Sequence, residues 1–440
     1  MTNLISNWWR SFQFKLALRQ GNKQQAIKLL RVIEKSGVRL SYLEKLFRDN
    51  LQLEDSTKQY KQEAAILGGK LSTALQQLEQ KSNLPVAIES QSNLTLTPEQ
   101  EFINFIYNTF NLILHDENKL QCTGIDERIF DDFEAQLVDY LKSEFSRIPE
   151  KQLVVKLEDA LEDINSLKCG KDPDYRFSLT PHVYYMKYFL ENVYCIYLAW
   201  FLIYESGLLP ANINILDIAA GPGTVAYGLA LFLQNTSGFF QIPQMHISYY
   251  SLEKQDAFQF RGLQFWRKYI ESRKTPLNAF FRFVTTDIFS WNKQSNNIPT
   301  NFFDFVVISH CFFNDSEMRS EANNIYTQII DNSLKDNGHA LLIIQDKKLY
   351  KGYDIFQIEH EQEKRLVNNF VEELGLKLVW YKYLTSTGSR KHFRGAEFAK
   401  FARENLPKQL SLTPIIQQYF NQKHECNYKL DDYVILAKKS

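Results

Sequence analysis

The chain has 440 residues, 44% of them hydrophobic. That is more than one core usually spans, so two domains or one domain with a large extension are expected. A formal net charge of zero excludes a globally basic nucleic-acid binder while leaving local basic patches open, and 33 Phe with 23 Tyr exclude a disordered chain.

Residues 1–81 read as a helical N-terminal region. The first 33 residues hold no acid, and Trp8, Trp9, Phe12 and Phe14 are interleaved with Arg10, Lys15 and Arg19. Two readings stand: an interfacial helix in residues 1–20 that meets a membrane or an RNA backbone, or a short docked helix with solvated charges. Two short amphipathic helices follow, Asn22 to Lys35 and Tyr42 to Leu51, with Gly37 as a stop between them. Tyr60, Ala64, Leu67, Leu71, Ala74 and Leu78 then repeat at spacings of four and three. The heptad run 60–78 suits a homodimer seam or a helix docked on its own chain, and Gly68 and Gly69 weaken either.

Residues 82–97, polar and carrying Pro85, read as a linker, and 98–207 as a helical domain. Its last helix, about Pro181 to Ser206, is apolar enough to raise the question of a membrane span. Lys187, Glu191 and Glu205 argue for a buried helix instead.

From residue 208 to 440 the pattern changes to β-branched runs alternating with helical segments, the signature of a parallel α/β sheet. Seven strands are expected: Ile213–Ile218, Ile247–Glu253, Phe281–Thr285, Phe303–Ser309, His339–Gln345, Lys377–Tyr383 and Tyr433–Lys438. The fold class is therefore a doubly wound, mostly parallel seven-stranded sheet of Rossmann type, preceded by an all-helical region. An insertion, 384–427, separates the last two strands. It holds Arg390, Lys391, Arg394, Lys400, Arg403 and Lys408 among Phe393, Phe398 and Phe401, and suits either a substrate lid or a solvated surface helix.

The chemistry gathers at the strand ends. The first strand runs through Asp217 into Ala219-Ala220-Gly221-Pro222-Gly223-Thr224, and a helix follows. Glycines there let the backbone approach a ligand, and the helix N-terminus offers unpaired N–H groups. Glu253 closes the second strand, where a carboxylate can accept from both hydroxyls of a ribose. Asp287 closes the third, within reach of an adenine amino group, with Ile288 flanking the ring. Ser309 and His310 close the fourth. Asp287 is alternatively a helix N-cap, and His310 a packed or exposed histidine.

Together these residues resemble a class I S-adenosylmethionine-dependent methyltransferase over roughly Ile213 to Ser440. The resemblance implies S-adenosyl-L-methionine as cofactor, held by Asp217, Ala219, Gly221, Gly223, Glu253, Asp287, Ile288 and Ser309, and an antiparallel pair made by the last two strands. The cofactor core is similar to that of the mitochondrial small-ribosomal-subunit-associated methyltransferases. Those carry a cysteine cluster that this chain lacks, so their substrate does not carry over.

Methyl transfer from a sulfonium is an in-line displacement that depends mainly on alignment and water exclusion. His310 is the candidate base, and Asp315 and Asn314 are candidates for orienting a methyl acceptor of unknown class. Cys311 invites a covalent cytosine mechanism, but the Pro-Cys pair that such enzymes use is replaced by His310-Cys311. The rival functions are a non-catalytic scaffold that keeps the fold and a nicotinamide-dependent dehydrogenase. Asp217 directly before the loop and the terminal strand pair favour the methyltransferase.

The five cysteines, Cys122, Cys169, Cys195, Cys311 and Cys426, form no CxxC pair. No metal site is expected from them, and they read as reduced thiols of a cytoplasmic protein.

Overall fold

The computed structural model describes residues 13, 14, 17, 23–35, 95–169, 173–175, 177–239, 245–273, 277–291, 298–353, 360–390, 395–420 and 425–439. The chain divides into two compact units, Met1–Gln91 and Ser92–Ser440. In the first, helix α1 (Lys23–Lys35) buries Ala26, Leu30 and Ile33 together with Phe14 and Ala17. The spacing of four and three puts the three α1 residues on one face. The heptad run, Gly37, the linker's first residues and most of 1–20 lie outside the described residues.

The second unit opens with α2 (Gln100–Thr109), a short hairpin of β1 (Leu112–Leu114) and β2 (Lys119–Cys122), then α3 (Glu127–Phe145) and α4 (Glu150–Asn165). A short helix α5 (Thr180–Tyr184) passes through a π-helical turn (Tyr185–Phe189) into α6 (Leu190–Glu205). The alternating part follows: β3 (Asn212–Ile218), α7 (Thr224–Thr236), β4 (Met245–Glu253), α8 (Asp256–Tyr269) and β5 (Leu277–Thr285). Then come β6 (Phe303–Ser309), α9 (Ser316–Ser333), β7 (Leu334–Gln345), α10 (Asp346–Gly352), α11 (His360–Glu373) and β8 (Leu376–Thr385). The insertion carries α12 (Gly395–Asn405) and α13 (Leu412–Phe420), and β9 (Asp431–Lys439) closes the fold.

Nine strands among the described residues form one sheet in the order β1-β2-β8-β9-β7-β6-β3-β4-β5. Each of the seven expected strands is present. The count of seven and the all-helical character of 98–207 are both corrected by the β1–β2 hairpin, whose second strand pairs in parallel with β8. The hairpin escapes a sequence reading because its strands are only three and four residues long, and a run that short shows no period. Without it and β9, the order is that of a doubly wound sheet, starting from β3 and running outward in both directions. β9 inserts antiparallel between β7 and β8, so its first residues lie at the edge where the parallel strands end.

Alternate residues of the strands feed two cores. Ile213, Ile215, Ile247, Tyr249, Phe305 and Val307 enter one cluster with α3, α6, α7 and α8. Leu216, Ile218, Leu252, Val306 and Ile308 enter the other with α9 and α11. This period of two with apolar residues on both sides is what a sheet covered on both faces requires.

α6 and α7 are apolar on every side because they are buried between other elements. Gly228 allows their contact: a Cβ there would strike the Ile196 side chain and come within 2.9 Å of the Tyr197 nitrogen. The helix ending at Glu205 is thus a buried helix, and residues 98–207 share the sheet's core. No helix among the described residues is long and apolar enough to cross a membrane.

Candidate active site

At β3 the sheet's connections diverge, toward β4 and β5 on one side and toward β6 and β7 on the other. A crevice at the strand ends follows from that divergence. Asp217, Glu253, Asp287 and Ser309 all stand at or just beyond this edge, on four strands.

The loop after β3 turns sharply. Ala219, Gly221 and Gly223 all have positive φ, at 55°, 54° and 85°. Glycine takes such angles at no steric cost, whereas Ala219 holds a left-handed conformation that costs of order 1 kcal/mol. A Cβ at Gly221 would meet nothing within 4 Å, so this position opens onto free space beside the backbone. Gly223 stands at the N-cap position of α7, whose first N–H groups face the loop.

Glu253 braces the loop. Its Oε2 accepts from the Gly221 amide at 2.7 Å and its Oε1 from the Gln255 amide at 2.9 Å. A carboxylate has about four lone-pair directions, so these bonds leave capacity for a diol. Asp217 is 1% exposed. Its Oδ2 accepts from the Tyr249 hydroxyl, while its Oδ1 is buried with no partner. Burial pushes the Asp217 carboxyl up to about 8, the Tyr249 bond opposing and the Glu253 charge adding to the rise. A buried carboxyl oxygen without a hydrogen-bond partner is costly, and a cationic donor beside it would favour the ionised form. Gly262 of α8 packs against the Pro222 carbonyl so closely that a Cβ could not fit, its position lying 2.8 Å from the Pro222 carbonyl carbon. Helix α8 therefore sets the height of the loop.

Asp287 caps the 3-10 turn Ile288–Ser290 by accepting from the Phe289 amide at 3.1 Å, and pairs with Lys254 at 3.2 Å. Its local role as an N-cap is thus real, and it stands just beyond the end of β5. Ile288 is buried in the second core beside it. Asp315 likewise caps α9, accepting from the Met318 amide at 3.0 Å. The Asn314 Oδ1 is buried without a partner.

At the end of β6 the strand breaks at His310, whose φ is 60°. Its amide still bonds the Ile343 carbonyl of β7, at 2.8 Å. Its Nδ1 lies 2.8 Å from the Ser309 hydroxyl and its Nε2 3.2 Å from Asp432 Oδ1 on β9. Cys195, from the second turn of α6, completes this group: its Sγ and the facing His310 and Asp432 atoms all lie within 4.8 Å of one another. The sequence reading found His310 and missed Cys195 and Asp432. Cys195 lies in an unbroken apolar run that reads as core, and Asp432 falls just ahead of the expected strand Tyr433–Lys438. Only the doublet Asp431-Asp432 ahead of a buried strand gave a signal.

Arg390, the first basic residue of the insertion, is paired within the chain. It bonds both oxygens of Glu363, at 2.9 and 2.7 Å, and Asp116 at 2.7 Å. It therefore ties the insertion to α11 and to the turn of the added hairpin.

No family model matches the chain, and no curated relative matches it. Solved structures do. A TehB-like S-adenosylmethionine-dependent methyltransferase from Corynebacterium glutamicum matches 64% of this chain and 98% of its own, at 11% identity and a TM-score of 0.28. An S-adenosylmethionine-dependent methyltransferase from Methanosarcina mazei matches 52% and 94%, at 14% identity and a TM-score of 0.29. At these levels the likeness carries no argument about chemistry, and the weight rests on strand order and loop geometry. In the reversed β9 between β7 and β8 and in the glycine corner after β3, the chain has the architecture that its resemblance to class I S-adenosylmethionine-dependent methyltransferases implies.

Proposed function

We propose that the chain is a methyltransferase that uses S-adenosyl-L-methionine. The observation that carries this reading is the buried, partnerless Asp217 Oδ1 near the end of β3, just before the glycine corner. A cofactor with a free ammonium answers it; a nicotinamide dinucleotide presents no ammonium to this oxygen. Asp217 would hold the amino end, the Gly221–Gly223 backbone would admit the amino-acid part, and Glu253 would accept from the ribose hydroxyls. Ile288 and Asp287 would flank the base. The bound cofactor supplies a methyl group on a sulfonium. The remaining work of the chain is to align the acceptor, exclude water and manage its proton. His310 is the titratable group standing at the end of β6, where an acceptor would lie.

Calorimetry of the full chain with S-adenosylhomocysteine tests the assignment. Micromolar binding that is lost in Asp217→Ala supports it, and the absence of binding at high micromolar ligand sinks it. A labelled-methyl assay on cell extract, split into RNA, protein and small-molecule fractions, then assigns the acceptor class.

A further inference from the structure

Cys195, His310 and Asp432 come from α6, the β6–α9 junction and β9, separated by more than a hundred residues at each step. A thiol, an imidazole and a carboxylate from three elements converge with their ligand atoms within 4.8 Å. We propose that these three residues form a divalent transition-metal site, most suited to zinc, with a fourth corner left for water or a donor atom of the acceptor.

The donor set is one sulfur, one nitrogen and one oxygen, the mixture that borderline-soft Zn²⁺ takes, and three protein ligands plus an open position is the pattern of reactive rather than structural zinc. The spacing agrees. Bonds of about 2.0–2.1 Å to nitrogen and oxygen at tetrahedral angles put those two atoms a little over 3 Å apart, and His310 Nε2 lies 3.2 Å from Asp432 Oδ1. The surroundings agree as well. A ligating histidine donates its other ring N–H to a fixed acceptor, and His310 Nδ1 faces the Ser309 hydroxyl at 2.8 Å. Asp432 is itself fixed, its Oδ2 accepting from the Asp431 amide at 3.3 Å. The positive φ at His310, an uncommon conformation for a residue with a Cβ, is the bend that follows β6 and brings the ring to β9. Lys348 donates to the His310 carbonyl at 3.0 Å.

Zinc at this position would make His310 a ligand rather than a base. Cys195, His310 and Asp432 would hold the ion, and the ion would supply a charge that favours the deprotonated form of an atom bound at the fourth corner, with solvent water taking the proton. The site is defined without reference to the methyl donor, so its failure and the failure of the donor assignment are distinguishable.

The test uses the full chain, stripped with a chelator and titrated with zinc alone. The expected result is one zinc ion per chain, with zinc affinity abolished in Cys195→Ser and His310→Ala and weakened roughly tenfold or more in Ser309→Ala. Substitution by cobalt should give a thiolate-to-cobalt charge-transfer band that Cys195→Ser removes. Because a core cysteine variant can fail to fold, X-ray absorption on the zinc-loaded wild type decides independently: one sulfur at about 2.3 Å with nitrogen and oxygen neighbours is expected. A wild type that binds no zinc, or a zinc shell without sulfur, overturns the proposal.

Discussion

The two sides of the ligand edge are built by opposite means. The side from Asp217 to Asp287 comes from one stretch of about seventy residues, read in order along β3, β4 and β5. The far side joins Cys195, His310 and Asp432, while Arg390 reaches Asp116 and Glu363. The difference teaches that a binding loop made by consecutive strands is held by local backbone bonds, such as Glu253 to Gly221. A site made by distant segments depends instead on buried charges that hold those segments in place.

The sharpest way to break this comparison is Arg390→Ala. Glu363 is fully buried, and removing the partner of a buried charge costs about 3–5 kcal/mol. Denaturant melts should show that loss while the S-adenosylhomocysteine affinity of the folded protein changes little. An equal loss of affinity would mean that the two sides are not independent.

Next in size is Glu253→Ala. It removes a brace of the loop and the acceptor proposed for the ribose hydroxyls, each a hydrogen bond to a charged group worth about 1.5–3 kcal/mol. Calorimetry should therefore show affinity falling roughly ten- to hundredfold or more.

Two glycine variants sharpen the contrast further. Gly262→Ala drives a methyl group against Pro222, and Gly228→Ala drives one against Ile196 and Tyr197. Both overpack the interior at a cost of about 1–3 kcal/mol. Only Gly262→Ala should also weaken S-adenosylhomocysteine binding, because only α8 sets the height of the loop. Melting curves paired with calorimetry separate the two outcomes.

The smallest effect is a pH dependence. With its carboxyl raised to about 8, Asp217 is protonated in the free protein at neutral pH, and an ammonium ligand must displace that proton. Affinity should then rise as pH climbs from about 7 to 8, by about 1 kcal/mol for one proton. Asp217→Asn should flatten the slope. In the free protein the sign is reversed for stability: the raised value favours the fold below about 4 and that contribution is lost as pH rises through about 8.

The seven main strands were legible because each is a buried run with a clear end, and Asp217, Gly221, Gly223 and Glu253 were legible because they sit at those ends. His310 was legible by the same rule. The capping bonds of Asp287 to Phe289 and of Asp315 to Met318 appear only with the backbone in view. The hairpin at 112–122 and the partnership of Arg390 with Asp116 and Glu363 had no local signal at all.

What the sequence determined by itself is whatever repeats at short range: the strand and helix periods, and the glycine corner that a donor's backbone-close part requires. The tertiary structure alone decided what happens at long range. It inserted β9 between β7 and β8, bringing Asp432 to the edge where β6 ends, and laid α6 against α7 across Gly228 so that Cys195 meets His310. Periodicity reports which face of an element is apolar, since burial acts residue by residue. Which distant elements share that burial is set by the packing of the whole sheet.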